Sequence, residues 1–226
     1  MFRSRLLALA VLGTVATVAL TGCKEDPLTP RPKARVMAVH ASPDAPAVDL
    51  LVDNVVAGSN LTFLNNTGYL VVKSGTRNLK INVAGTTTTV IDANLPLAPS
   101  ASYSVFATGA VANIAPLVLT DDLAPPAAGN AHVRFVHLSP DAPAVDIGVQ
   151  GGGVVFGNRA FKDYTPFTPL PAGSYDLEVR LAGTNNVVLP LSGITLQAGK
   201  IYTVFAKGFV GGSGAQALGA QIIVNN

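Results

Sequence analysis

Residues 39–49 read Val39-His40-Ala41-Ser42-Pro43-Asp44-Ala45-Pro46-Ala47-Val48-Asp49, and residues 136–146 read Val136-His137-Leu138-Ser139-Pro140-Asp141-Ala142-Pro143-Ala144-Val145-Asp146. Ten of these eleven residues are identical, at an offset of 97 (136 against 39). Self-similarity at a fixed spacing is the signature of a duplicated structural unit. Further along, Ala84-Gly85-Thr86 matches Ala182-Gly183-Thr184 at offset 98, and Tyr103-Ser104-Val105-Phe106-Ala107 matches Tyr202-Thr203-Val204-Phe205-Ala206 at offset 99. An offset that drifts by single residues means small loop insertions between two copies of one domain. Asp121 to Asn130 joins them, rich in Pro, Ala and Gly.

Each copy reads as short strands between turns. Arg35 to His40 and Val48 to Val52 flank the motif, where each Pro biases its predecessor towards extended backbone. Asp53-Asn54 suits a two-residue hairpin turn, because both residues tolerate positive φ. In Arg77 to Val83, alternation predicts Leu79, Ile81 and Val83 inward and Asn78, Lys80 and Asn82 outward. The same reading of copy two puts Leu177, Val179 and Leu181 in, with Asp176, Glu178 and Arg180 out. Thr87 to Leu95, Ser102 to Thr108 and Ile114 to Leu119 complete the first copy. About seven strands per roughly one hundred residues predict an all-β chain of two tandem antiparallel β-sandwich domains, immunoglobulin-like or transthyretin-like. The composition agrees: Val and Thr are abundant, Glu and Lys are scarce, and hydrophobic residues make up 49% against 12% charged. That balance excludes a disordered chain.

The N-terminus carries an address. Arg3 and Arg5 precede an apolar run from Leu6 to Leu20 that ends in Leu20-Thr21-Gly22-Cys23. A run of fifteen residues is short for a membrane-spanning helix and sufficient for a signal peptide. The sequence Leu-Thr-Gly-Cys resembles the lipobox of bacterial lipoproteins, which implies cleavage before Cys23 and acylation of its thiol. Cys23 is the single Cys of the chain, so neither a disulfide framework nor a Cys-based zinc site exists. Two or three acyl chains anchor stably where one binds marginally. Removing Arg3 and Arg5 with the leader leaves 13 basic and 13 acidic residues and a formal net charge of zero. The Lys and Arg residues are scattered along the sequence, which argues against nucleic acid as a partner. The expected organisation is a signal peptide over 1–22, a lipidated N-terminus and Pro-rich tether over 23–33, sandwiches over 34–122 and 131–226, and a linker over 123–130. The expected partners are the bilayer, through acylated Cys23, and an envelope or extracellular component. By similarity to the sorting rules of enterobacterial lipoproteins, Lys24 in place of Asp implies the outer membrane rather than the inner.

The duplicated His-x-Ser-Pro-Asp-Ala-Pro-Ala-Val-Asp motif, with the Tyr-x-Val-Phe-Ala-x-Gly strand, resembles domain-of-unknown-function family 4397 of bacteria and archaea. The resemblance spans Arg35 to about Val224. It implies secreted or lipid-anchored β-sandwich repeats, and it supplies no reaction, cofactor or catalytic residue.

His40, Ser42, Asp44 and Asp49 include the residue types of a hydrolase triad, but no strained Gly-x-Ser-x-Gly elbow presents the Ser. Duplication of the whole set fits a turn that specifies the fold better than a single active site. In the structural reading, Ser42 and Asp44 bond turn amides, Asp49 ties strand to loop, and His40 packs at the sheet edge. In the binding reading, His40, Asp44, Asp49, His137, Asp141 and Asp146 form ligand sites. Asp44, Asp49 and Asp53 would be the oxygen ligands for calcium, although Gln150 replaces Asp53 in copy two. No cofactor and no catalytic residue are expected. A further cluster, Phe156, Phe161, Tyr164 and Phe167, lies among prolines and fits either core or seam packing or a binding surface. The sequence thus reads as a non-catalytic lipid-anchored envelope protein for adhesion, scaffolding or assembly. A ligand- or calcium-binding module is the alternative, and a hydrolase is a distant third.

Overall fold

Two positive-φ residues, Asp53 at 50° and Asn54 at 63°, close the first hairpin of the chain, and the rest of the architecture follows from similar turns. The computed structural model describes residues 32–226. The expected signal peptide, Cys23 and most of the expected tether lie outside the described residues. The first copy holds β1 (Lys33–Ala41), β2 (Val48–Val52), β3 (Val55–Leu61), β4 (Leu70–Lys73), β5 (Gly75–Val83), β6 (Thr89–Leu97), β7 (Ser102–Thr108) and β8 (Ala115–Thr120). The second repeats them as β9 (Asn130–His137), β10 (Val145–Val149), β11 (Val154–Arg159), β12 (Thr168–Pro171), β13 (Gly173–Leu181), β14 (Val187–Leu196), β15 (Ile201–Lys207) and β16 (Gly219–Val224). Each copy is therefore a sandwich of eight strands rather than seven. Among the described residues, no helix is long and apolar enough to cross a membrane.

Four sheets of four strands result, ordered β4-β1-β7-β8 and β3-β2-β5-β6 in copy one, and β12-β9-β15-β16 and β11-β10-β13-β14 in copy two. The sheets are antiparallel as expected, apart from one pair in each copy. β1 runs parallel to β7, and β9 parallel to β15, while the other strand pairs are antiparallel. A parallel pair needs a long crossover, and five intervening strands supply it in each copy.

The side-chain period of two directs alternate residues of β1 to different cores. Ala34, Val36 and Ala38 join Val48, Leu50, Leu79 and Ile81 inside the first sandwich. Met37, Val39 and Ala41 face the other way and pack with Phe106, Leu119, Val136, Leu138, Phe205 and Ile223 from both copies. The second sandwich has its own core around Phe135, Ile147, Phe156 and Val204. Among the described residues there are thus three cores, and the third lies between the copies. It explains why every residue of β7 is buried. The third core pairs equivalent residues: Phe106 meets Phe205 edge to face at 5.9 Å. Self-complementary contact of one patch with its own copy is what an isologous interface looks like. Residues 31–226 form one compact unit.

Alternation along β5 and β13 holds at Leu79, Ile81 and Val179 and fails at two outward positions. Asn82, 8% exposed, sits at a register shift and accepts a bond from Thr89. Arg180, also 8% exposed, lies over Gly148, which has no side chain to displace it, and bonds Glu178 and the carbonyls of Val149 and Gly152.

Candidate functional site: the duplicated motif

His40 stands near the end of β1, a central strand, so it is not at the sheet edge; it is 1% exposed and His137 is fully buried. Its Nε2 donates to the Pro46 carbonyl at 2.9 Å, and His137 does the same to Pro143 at 3.2 Å. A carbonyl only accepts, so Nε2 carries the proton, and Nδ1 has no partner in either copy. Burial lowers both imidazole pKa values against the opposing pull of the Pro carbonyls, and keeps the rings neutral.

Ser42 follows the end of β1 and donates Oγ to the Gly109 carbonyl at 2.6 Å, matched by Ser139 to Gly208 at 2.7 Å. Its partner is thus a distant carbonyl rather than the turn amide expected from sequence. Asp44 accepts from the Val111 amide at 2.8 Å, and Asp141 from Val210 at 3.0 Å. Together Ser and Asp clamp the motif loop to the connection that follows β7 or β15.

Asp49 and Asp146 tie strand to loop. Asp49 Oδ1 accepts from Asn60 N at 2.7 Å and Oδ2 from Gly85 N at 3.0 Å. Asp146 repeats this with Asn158 at 2.6 Å and Gly183 at 2.8 Å. The donors sit at positive φ, Asn60 at 51° and Asn158 at 52°, so each carboxylate holds a bulge and a hairpin turn at once. These amides, the Asn first and the Gly second, depress both carboxyl pKa values.

The candidate calcium ligands do not converge. Asp44 and Asp49 accept backbone amides, while Asp53 pairs with Arg77 at 3.1 Å and accepts from Asn78 N. Among the described residues, no group of three or more His, Cys, Asp or Glu is placed to hold a metal ion. The aromatic cluster divides. Phe156 is in the second core, Phe167 lies 4.5 Å from the Arg134 guanidinium, and Tyr164 remains 51% exposed.

Beside the motif of copy two, the sandwich opens an apolar cleft of about 410 Å³, lined by His137, Pro143, Val187, Val188, Val210 and eleven further residues, mostly apolar. Val187, Val188 and Val210 are exposed at 42%, 36% and 53%.

Sequence reasoning missed the polar cluster between the copies. Arg134, 2% exposed, donates Nη1 to Asp121 at 2.6 Å, Nη2 to Ser104 at 2.9 Å and Nε to Thr203 at 2.8 Å. Ser104 and Tyr69 donate to the other Asp121 oxygen, Asn225 donates to Tyr69, and Thr203 donates to Asn225. Burial first, then the Asp121 charge, pushes the Tyr69 phenol up to about 12. The available signal was a departure from the repeat: Arg134 stands where copy one has Met37, within the apolar run Val133 to Val136.

A family model described as a domain of unknown function, DUF4397, matches residues 34–148 and 149–226. The border between the two matches falls inside β10 rather than at the linker. A search of curated proteins found none that matches the chain.

Proposed function

Since the chain belongs to the domain-of-unknown-function family DUF4397, we propose that it is a lipid-anchored envelope protein presenting a rigid double sandwich for adhesion, scaffolding or assembly, with no chemical step of its own. The observation that carries this reading is the use of the motif in duplicate. Both copies commit His, Ser and both Asp residues to matching backbone partners. A nucleophile needs a base within hydrogen-bond reach, and Ser42 instead donates to a carbonyl. Acylation of Cys23 would place the body at the envelope, in the outer membrane by the sorting residue Lys24.

Two measurements test it. Metabolic labelling with a palmitate analogue should mark the wild type and not Cys23→Ser, whose precursor should accumulate. The labelled body should then bind isolated envelopes saturably while the same preparation leaves generic esters intact. Ester hydrolysis that disappears in Ser42→Ala plus Ser139→Ala would replace this reading with an enzyme.

The cleft beside His137 favours one second reading, a module for a small apolar ligand; its volume lies in the range of small-molecule sites. Saturable binding of an aliphatic fluorescent probe, abolished by Val188→Glu, would support it.

A further inference from the structure

The two sandwiches share a fold but differ at the end where the chain enters. In copy one, β1 begins at Lys33, directly across from Lys73 on β4. Arg77 and Lys80 of β5 reach the β2–β3 turn beside them: Arg77 pairs with Asp53 at 3.1 Å, and Lys80 donates to Asn54 at 2.9 Å and pairs with Asp92 at 3.6 Å. These are four of the five Lys and Arg residues in 33–120, and the fifth, Arg35, is two residues further along β1. Just past the same turn, at the start of β3, Val55 and Val56 are 68% and 59% exposed.

The fold does not require these residues. The equivalent register positions in copy two are Asn130 across from Pro171, then Tyr175 and Glu178, with no cation among them. Like charges directly opposite on paired strands are destabilising, so the Lys33–Lys73 pair works against the sheet. A repulsive lysine pair confined to one copy, beside two further cations and two exposed valines, calls for an external partner. The position of the anchor identifies it. Nine residues separate Cys23 from Lys33, which span at most about 35 Å when extended. We propose that this end of the first sandwich is a membrane-facing surface that binds anionic phospholipid headgroups, with Val55 and Val56 entering the interface. The orientation rests on the proposed acylation of Cys23. Clustered Lys and Arg held near a bilayer are attracted to its negative surface, within about one Debye length.

The chain has no Trp, so a single substitution reports contact. Residues 23–226 contain the sixteen described strands and the three described cores, and Cys23, the one thiol, can be coupled chemically to a maleimide lipid in vesicles. Val56→Trp is the reporter, and Val154→Trp at the matching hairpin of copy two is its control. On phosphatidylcholine vesicles containing phosphatidylglycerol, the emission of Val56→Trp should shift to the blue and be quenched by brominated lipid. That response should be lost in high salt, on phosphatidylcholine alone, and when Lys33→Gln and Lys73→Gln are added. Those two changes leave the Arg77–Asp53 pair intact. No quenching at Val56→Trp, equal quenching at Val154→Trp, or a response indifferent to anionic lipid would overturn the proposal. Chemical coupling bypasses cellular acylation, so a failure of palmitate labelling in cells would be read separately.

Discussion

A buried neutral imidazole resists protonation, and this makes His40 and His137 sources of acid lability. Their folded pKa values lie below the ordinary value near 6.5, so the unfolded chain binds more protons as pH falls below that value. Stability therefore falls with pH from about 6.5 down through the folded pKa values. Asp49 and Asp146 act the same way lower on the scale, since their depressed pKa values give stability that is present above about 4 and lost below it. Thermal denaturation should show Tm declining between pH 7 and 5, before the carboxylates titrate. His40→Gln plus His137→Gln should melt lower but with a flatter slope in that range; an unchanged slope would remove the histidines as its cause. Asp44 and Asp141 separate scaffold from ligand site. Each Ala replacement should cost about 1 kcal/mol by releasing one loop amide bond. The two costs should add, and neither wild type nor variants should respond to EDTA. A wild-type Tm that falls in EDTA, with indifferent variants, would point to a metal.

Turns and registers decide the elements. The β2–β3 turn places Asn54 at φ 63°, a left-handed backbone that costs most side chains about 1–2 kcal/mol. Asn54→Ala should therefore unfold at lower urea than Asn54→Gly by about 1 kcal/mol. Both variants lose the Lys80 bond, so the difference isolates the backbone; equal midpoints would argue that the turn relaxes. This turn was legible because Asp-Asn between apolar runs is a local signal, and the bounds read for β2 and β7 are those of the structure. β3 and β4 were not delimited. β3 contains Gly58 and Asn60 and shifts register against β2, which breaks the alternation, and β4 is only four residues long. The parallel pairing of β1 with β7 left no mark, because alternation records which face is buried and not which strand is adjacent. In the motif, the importance of His, Ser and Asp was visible by repetition. Their partners were invisible, because Gly109 and Val111 lie 67 residues away from Ser42 and Asp44.

At the scale of the whole molecule, the third core makes the two sandwiches one body. Cutting the linker within 125–129 should leave the halves associated on gel filtration, because Phe106, Phe205, Met37 and Leu138 would otherwise meet water. Phe106→Glu in the cut protein should release them. At the rim of this core, the Arg134–Asp121 pair is the place where the repeat is least symmetric. Met37 is the counterpart of Arg134, and Asn225, by its pairing register, is the counterpart of Asp121. Copy two thus supplies the cation and copy one the anion of a pair that both copies enclose. Removing one partner of a buried pair strands the other charge, and Arg134→Met should cost about 3–5 kcal/mol in urea denaturation. Adding Asp121→Asn installs the two residues that the opposite copies already carry, and an uncharged replacement of both partners is often nearly neutral. The double variant should recover most of the loss, which a double-mutant cycle would report as strong coupling. If Arg134→Met alone costs nothing, the polar cluster does not hold the copies together, and the apolar contact around Phe106 and Phe205 must suffice. The recovery would carry a further meaning: the two-fold contact between copies would stand without its ion pair, and the pair would act to fix which faces meet rather than to hold them.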